Sequence, residues 1–200
     1  MPSSKLLTIP NILTFMRMAL IPVFASLLVY GYTDAALAVF LIAGVSDGVD
    51  GFLARKFNQE SELGTIMDPI ADKLLMTTAF IILTIPGILP NVRHLPVPFW
   101  VTAAVIGRDV LIIAVAGAIN MMTGFRGFQP SWLGKASTLV QVIGVTLILF
   151  AAVTGYFIFL PTTYSIVVFF AFVSGVHYIF HVARLMREDD ARTPKKADGA

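Results

Sequence analysis

Long apolar runs are the feature of this 200-residue sequence that most constrains its fold. A helix that crosses a membrane needs about 20 consecutive, mostly apolar residues. Such runs follow one another here with short connections, and 57% of the residues are apolar while only 13% are charged. The sequence therefore predicts an all-α, polytopic membrane protein, because helices satisfy their own backbone groups in lipid. Six transmembrane helices are predicted near residues 9–30, 34–55, 66–88, 97–122, 136–155 and 160–183.

Lysines and arginines are unevenly distributed among the predicted connections. If the N-terminus is cytosolic, ten of these residues lie in cytosolic segments and only Arg93 lies on the opposite side. Because cytosolic loops carry the excess of such residues, both termini are predicted to be cytosolic. We expect one six-helix transmembrane domain over residues 1–185 and a short, disordered cytosolic tail over residues 186–200. A net charge of +2 gives no indication of a nucleic-acid partner.

Four aspartates lie inside predicted helices two and three, where charge is costly. Each ionised carboxylate costs about 2.5 to 3.5 kcal/mol in a spanning helix, so four cost on the order of 10 kcal/mol. At about 100° per residue, Asp47 and Asp50 share one face of helix two. Asp68 and Asp72 lie one turn apart on helix three. We expect the antiparallel helix pair to bring all four carboxylates together at its cytosolic end.

Such a cluster of carboxylates predicts a metal site, because neighbouring acids repel one another unless cations join them. Mg²⁺ and Mn²⁺ prefer oxygen ligands and are often held by carboxylates together with substrate phosphates. The four aspartates are therefore predicted to bind two ions, Mg²⁺ or Mn²⁺, and to support phosphorus chemistry. Gly51, Ala54 and Gly64 leave space for a ligand beside them. Arg55 adds a cation suited to a phosphate oxygen.

Two other interpretations of the acidic residues remain open at this point. Asp47 and Asp50 could end helix two while Asp68 caps helix three, but this structural interpretation leaves Asp72 unexplained. An ion or proton transporter also needs intramembrane acids. A transporter would distribute them toward the midplane on several helices and would show duplicated broken helices. Clustering at one end of two adjacent helices, beside Arg55, favours an enzyme.

The spacing of these residues resembles the complete signature of the CDP-alcohol phosphotransferase family. Eight fixed residues and the gaps between them are in register. The resemblance covers roughly residues 8–150, and the flanking segments look like those of bacterial phosphatidylglycerophosphate synthases in this family. The matching pattern reads Asp47-x2-Asp50-Gly51-x2-Ala54-Arg55-x8-Gly64-x3-Asp68-x3-Asp72.

The resemblance implies a six-helix enzyme of phospholipid synthesis in the bacterial inner membrane, usually a homodimer. Such an enzyme transfers the phosphatidyl group of CDP-diacylglycerol to an alcohol and releases CMP at the cytosolic face. It further implies that the four aspartates hold two divalent ions and that Asp72 also acts as general base. Gly51, Ala54, Arg55 and Gly64 are then expected to line the CDP pocket.

Two cations are expected to face one cavity and to bind the phosphate of the acceptor: Arg108 in helix four and Lys135 at the start of helix five. Alternatively, Arg108 forms a structural ion pair with Asp109 or Asp72, and Lys135 is an interfacial anchor. The resemblance favours glycerol 3-phosphate as the acceptor. However, the Arg108-Asp109 pair, the lack of a second lysine after Lys135, and Gln141 resemble the cardiolipin synthases of the same family, which use phosphatidylglycerol.

Overall fold

The computed structural model describes residues 9–57, 62–88, 97–123 and 132–192. These residues form helices and short connections, and none of them is in a β-strand. The prediction of an all-α fold with six helices is therefore confirmed over these described residues. The helices are α1 (Ile9–Val29), α2 (Thr33–Phe57), α3 (Glu62–Thr84), α4 (Phe99–Thr123), α5 (Trp132–Thr154) and α6 (Leu160–Arg192).

Left-handed glycines end two of the helices and set the direction of the next. Gly31 has φ of 80°, and the backbone N–H of Tyr32 donates to the carbonyl of Leu27 at 2.8 Å. This bond, with that from Gly31 to Leu28 at 3.1 Å, closes the end of α1 in the pattern that left-handed glycines allow. Gly155, with φ of 77°, ends α5 similarly. Because both connections are short, α1 and α2 are antiparallel, as are α5 and α6.

The helices pack so that most of the buried polar residues lie toward one end of the bundle. Helix α1 packs on α2 and α3, α5 packs on α2 and α6, and α4 packs mainly on α6. The first turns of α1, α3 and α5 lie at the same end, which we call the site end. The buried polar residues toward this end are Thr14, Arg17, Arg108, Ser137, Gln141 and Ser174.

The apolar core occupies the other end of the bundle. There Phe24 of α1 and Phe40 of α2 pack with ring centroids 5.6 Å apart. Phe80 and Leu83 of α3 and Ile148 of α5 complete the centre of this core, and all five side chains are buried. The apolar end therefore holds the helices together, while most of the buried polar residues lie toward the opposite end.

Four of the helices are long and apolar enough to cross a membrane, counted over the described parts of the chain. They are α1, α4, α5 and α6, whereas α2 contributes a shorter apolar stretch over Thr33–Ser46. Their outward faces carry large exposed apolar side chains, such as Phe172 and Phe180, that suit contact with lipid. The protein is thus an integral membrane protein. Six helices are confirmed, but only four are shown to have spanning character.

Several helix boundaries differ from the sequence prediction. Helix α2 continues to Phe57, past the aspartates that the structural interpretation placed at its end. Helix α5 begins at Trp132 rather than at residue 136, so Lys135 lies within its first turn. Helix α6 continues to Arg192, so residues 186–192 of the expected disordered tail are helical, and residues 193–200 lie outside the described part. At about 1.5 Å per residue, the 33 residues of α6 span about 50 Å, more than a hydrocarbon core of about 30 Å.

Candidate active site

Two of the predicted metal ligands, Asp68 and Asp72, lie one turn apart near the start of α3. The hydroxyl of Thr14 on α1 donates a hydrogen bond of 2.5 Å to Oδ1 of Asp68. Thr14 is 1% exposed, so this bond lies in the packed contact between α1 and α3. The carboxylate of Asp68 is therefore oriented from a neighbouring helix. The sequence provided no indication of this role, because a threonine in an apolar helix commonly bonds to its own backbone.

Arg17, one turn after Thr14 on α1, is completely buried. A buried guanidinium is tolerated only where polar or anionic groups compensate its charge. Helix α1 thus supplies both a hydroxyl and a cation at the site end of the bundle. Sequence reasoning assigned no function to Arg17.

The predicted ligands on α2 cannot be placed in the same way. The helix runs through Asp47, Asp50, Gly51, Ala54 and Arg55, but the side chains of these residues lie outside the described part of the structure. Among the side chains that are described, no three acidic or histidine residues lie close enough to share a metal ion. Convergence of all four aspartates on two ions therefore stays a prediction.

The glycine predicted at the entry to α3 can be placed. Gly64 is buried in the first turn of that helix, one turn before Asp68. It therefore lies at the site end, on the same helix as the two described aspartates.

A cavity of about 230 Å³ lies between α3, α4, α5 and α6. Arg108 and Lys135 both line it, and their binding of an acceptor phosphate stays a prediction. Lys73, which directly follows Asp72 on α3, forms part of its wall. The cavity therefore begins one residue from the predicted general base. The remaining lining residues are Asp109, Ile112, Ile113, Gly134, Thr138 and Tyr178.

An ion-pair network occupies one side of this cavity. Nη1 of Arg108 lies 2.7 Å from Oδ1 of Asp109, and Nζ of Lys73 lies 2.5 Å from the same oxygen. The structural ion pair between Arg108 and Asp109 is thus present, and Arg108 lines the cavity as well. Nε of Arg108 also donates to Oγ of Ser174 on α6 at 2.7 Å. Sequence reasoning missed both Ser174 and the pairing of Lys73.

Comparison with known proteins agrees with this architecture. The family model for CDP-alcohol phosphatidyltransferase matches residues 7–183. A cardiolipin synthase (CMP-forming) of Streptomyces coelicolor is 32% identical over 94% of this chain and 89% of that protein. A probable phosphatidylglycerophosphate synthase of Mycobacterium tuberculosis is 31% identical over 92% of this chain and 85% of that protein.

A further relative is larger than this chain. In Schizosaccharomyces pombe, a fusion of cardiolipin synthase (CMP-forming) with a mitochondrial hydrolase is 35% identical over 70% of this chain, which spans only 24% of that protein. The family match nevertheless covers nearly all of the helical bundle, including the acidic end of α3 and the cavity beside it. The chain belongs to the CDP-alcohol phosphatidyltransferase family.

Proposed function

We propose that this protein transfers the phosphatidyl group of CDP-diacylglycerol to phosphatidylglycerol, forming cardiolipin and releasing CMP. The observation that carries the choice of acceptor is the position of Asp109, which pairs with both Lys73 and Arg108 in the cavity wall. This pairing lowers the positive charge offered to a ligand, which suits a phosphodiester with one negative charge. The apolar side chains of Ile112 and Ile113 suit an acceptor that carries lipid tails.

The chemistry requires a base beside the acceptor and a means to stabilise the departing nucleotide. Asp72 is proposed to take the proton of the acceptor hydroxyl as its oxygen bonds to the phosphorus that bears diacylglycerol. The bond from that phosphorus to CMP breaks, and CMP leaves with the electron pair. Asp68, held by Thr14, is proposed to keep its carboxylate aimed at the same region.

Four carboxylates would hold two divalent ions, Mg²⁺ or Mn²⁺, which are hard cations that prefer such oxygen donors. The proposed ligands are Asp47, Asp50, Asp68 and Asp72. When bound, the ions supply charge neutralisation at the diphosphate. The orientation of Asp68 by the Thr14 hydroxyl fits this role, because metal-binding carboxylates are themselves hydrogen-bonded.

The donor nucleotide is proposed to bind where small residues leave space between α2 and α3. Gly51, Ala54 and Gly64 are proposed to provide this space, and Arg55 is proposed to provide a cation for the diphosphate. The site lies at one end of the bundle, where a lipid-tailed substrate can keep its nucleotide in water. The distribution of lysine and arginine supports a cytosolic position for this end, and we propose that the membrane is the inner membrane of a bacterium. We also propose that the protein works as a homodimer.

Glycerol 3-phosphate is the second candidate acceptor, as the sequence resemblance favours. Lys73, Arg108 and Lys135 against the single carboxylate of Asp109 leave the described cavity lining with a net charge of +2. That charge can balance a terminal phosphate. The relative of this chain named as a probable phosphatidylglycerophosphate synthase points to the same acceptor.

The decisive experiment measures CMP release by the purified protein from CDP-diacylglycerol and Mg²⁺. Phosphatidylglycerol and glycerol 3-phosphate are compared as acceptors, and mass spectrometry identifies the lipid product. We expect turnover with phosphatidylglycerol, loss of turnover in Asp68→Asn, and retention in Asp34→Asn, which changes an exposed acid at the start of α2. Turnover with glycerol 3-phosphate alone would show that phosphatidylglycerol is not the acceptor. Absence of CMP release with either acceptor would refute the proposed reaction.

A further inference from the structure

The guanidinium of Arg108 is held by three different acceptors of the protein. Nε donates to Oγ of Ser174 at 2.7 Å, and Nη1 lies 2.7 Å from Oδ1 of Asp109. Nη2 donates to the carbonyl of Gly134 at 3.4 Å. The side chain of Arg108 is only 7% exposed. Each of its three nitrogens is therefore engaged before a ligand enters, and the group is fixed between α4, α5 and α6.

The carboxylate of Asp109 serves two cations at once. Its Oδ1 also lies 2.5 Å from Nζ of Lys73, and the Asp109 side chain is itself only 12% exposed. Two of the three cations that line the described cavity are thus paired with one carboxylate oxygen. Lys135, the third, lies in an exposed position in the first turn of α5.

This arrangement distinguishes between two kinds of acceptor phosphate. A terminal phosphate carries about −1.5 to −2 charges near neutral pH. It is bound most strongly by a free guanidinium that donates two parallel hydrogen bonds. A phosphodiester carries one negative charge and is satisfied by a single ammonium group. With Arg108 held by Ser174 and Asp109, the cavity offers a ligand the ammonium group of Lys135, which suits a phosphodiester.

We propose that Asp109 and Ser174 determine the acceptor specificity of this enzyme. By keeping Arg108 and Lys73 engaged, they select against an acceptor with a terminal phosphate and admit one with a phosphodiester. Both act through Arg108, so they are positioning residues rather than catalytic residues. The inference rests on the proposed phosphatidyl transfer and adds the residues that choose between its two acceptors.

The first test compares kcat and KM for both acceptors in Asp109→Asn and Ser174→Ala. In Asp109→Asn the loss of one negative charge beside the acceptor raises kcat/KM for glycerol 3-phosphate, relative to phosphatidylglycerol, by about tenfold or more. The change is expected mainly in KM for glycerol 3-phosphate. Ser174→Ala shifts the ratio in the same direction by about threefold, and Ser174→Thr, which keeps the hydroxyl, restores it. Ser165→Ala is the matched control, because the exposed Ser165 bonds to the Pro161 carbonyl of its own helix.

A second test does not depend on turnover. Isothermal titration of the purified protein with inorganic phosphate should show binding about tenfold tighter in Asp109→Asn than in the unaltered protein. An unchanged acceptor ratio together with unchanged phosphate affinity in a folded Asp109→Asn protein overturns the inference. If that variant does not fold, Ser174→Ala and Ser174→Thr decide it by the same two measurements. Failure of the unaltered protein to release CMP overturns the proposed function, while the phosphate titration still tests the inference.

Discussion

Replacing Thr14 by valine removes a single buried hydroxyl and keeps the shape of the side chain. The hydroxyl donates to Oδ1 of Asp68 at 2.5 Å, and Thr14 is 1% exposed, so water has little room to replace the lost donor. A hydrogen bond to a charged group contributes about 1.5 to 3 kcal/mol. If the bond orients Asp68 for metal binding, its loss weakens metal affinity about 10- to 100-fold, the range observed for groups that support metal ligands.

The assay follows CMP release as a function of Mg²⁺ concentration. We expect Thr14→Val to raise the half-saturating Mg²⁺ concentration about 10- to 100-fold and to lower the maximal rate much less. Thr14→Ser, which keeps the donor, should stay close to the unaltered protein. Thr146→Val is the matched control, because the Thr146 hydroxyl bonds to the Val142 carbonyl of its own helix at 2.9 Å. A folded Thr14→Val protein with an unchanged Mg²⁺ requirement would refute the assignment of Asp68 as a ligand oriented from α1.

Three further predictions follow from the site and from the packing. EDTA should abolish CMP release, and added Mg²⁺ or Mn²⁺ should restore it. Asp72→Asn should stay inactive at any metal concentration. CMP release in the presence of EDTA would contradict the metal assignment. Lys135→Ala should raise KM for phosphatidylglycerol about tenfold with a smaller effect on kcat, and Lys135→Arg should recover most of the lost affinity. An unchanged KM in Lys135→Ala would exclude acceptor binding by this residue. Gly144→Ala should lower the thermal unfolding midpoint, because a Cβ at this position lies 2.7 Å from Cγ2 of Val167. Overpacking of this kind costs about 1 to 3 kcal/mol, which exceeds the gain in helix propensity of about 0.5 to 1 kcal/mol. Adding Val167→Ala to this variant should recover the lost stability. Gly117→Ala, where the Cβ meets open space, should not destabilise the protein. Equal unfolding midpoints for Gly144→Ala and Gly117→Ala would contradict the packing argument.

The number and order of the helices could be predicted because the apolar runs are long and separated by polar connections. Helix ends were predicted less well, for a physical reason. Hydropathy detects the part of a helix that lies in lipid, but α6 continues through charged residues that favour helix without being apolar. The start of α5 was missed for the same reason, because Gly134 and Lys135 interrupt the apolar pattern.

The site was predictable where charge alone carries the information. A cation inside an apolar helix is expected to face a polar region or to pair with an acid, so the position of Arg108 could be predicted. Partners contributed by distant helices could not. Thr14 and Asp68 are 54 residues apart, and Arg108 and Ser174 are 66 residues apart. No local pattern marks a serine or a threonine as one half of such a pair, because its role is defined only when the helices pack.

The adjacency of Asp72 and Lys73 on α3 links the two halves of the proposed reaction mechanically. Asp72 is the proposed base, and Lys73 is part of the cavity wall and is tied to α4 through Asp109. Because the two residues are consecutive, a rotation or sliding of α3 relative to α4 displaces the proposed base and also separates Lys73 from Asp109. The ion pair of Lys73 with Asp109 therefore holds the helix that carries the proposed base beside the acceptor cavity.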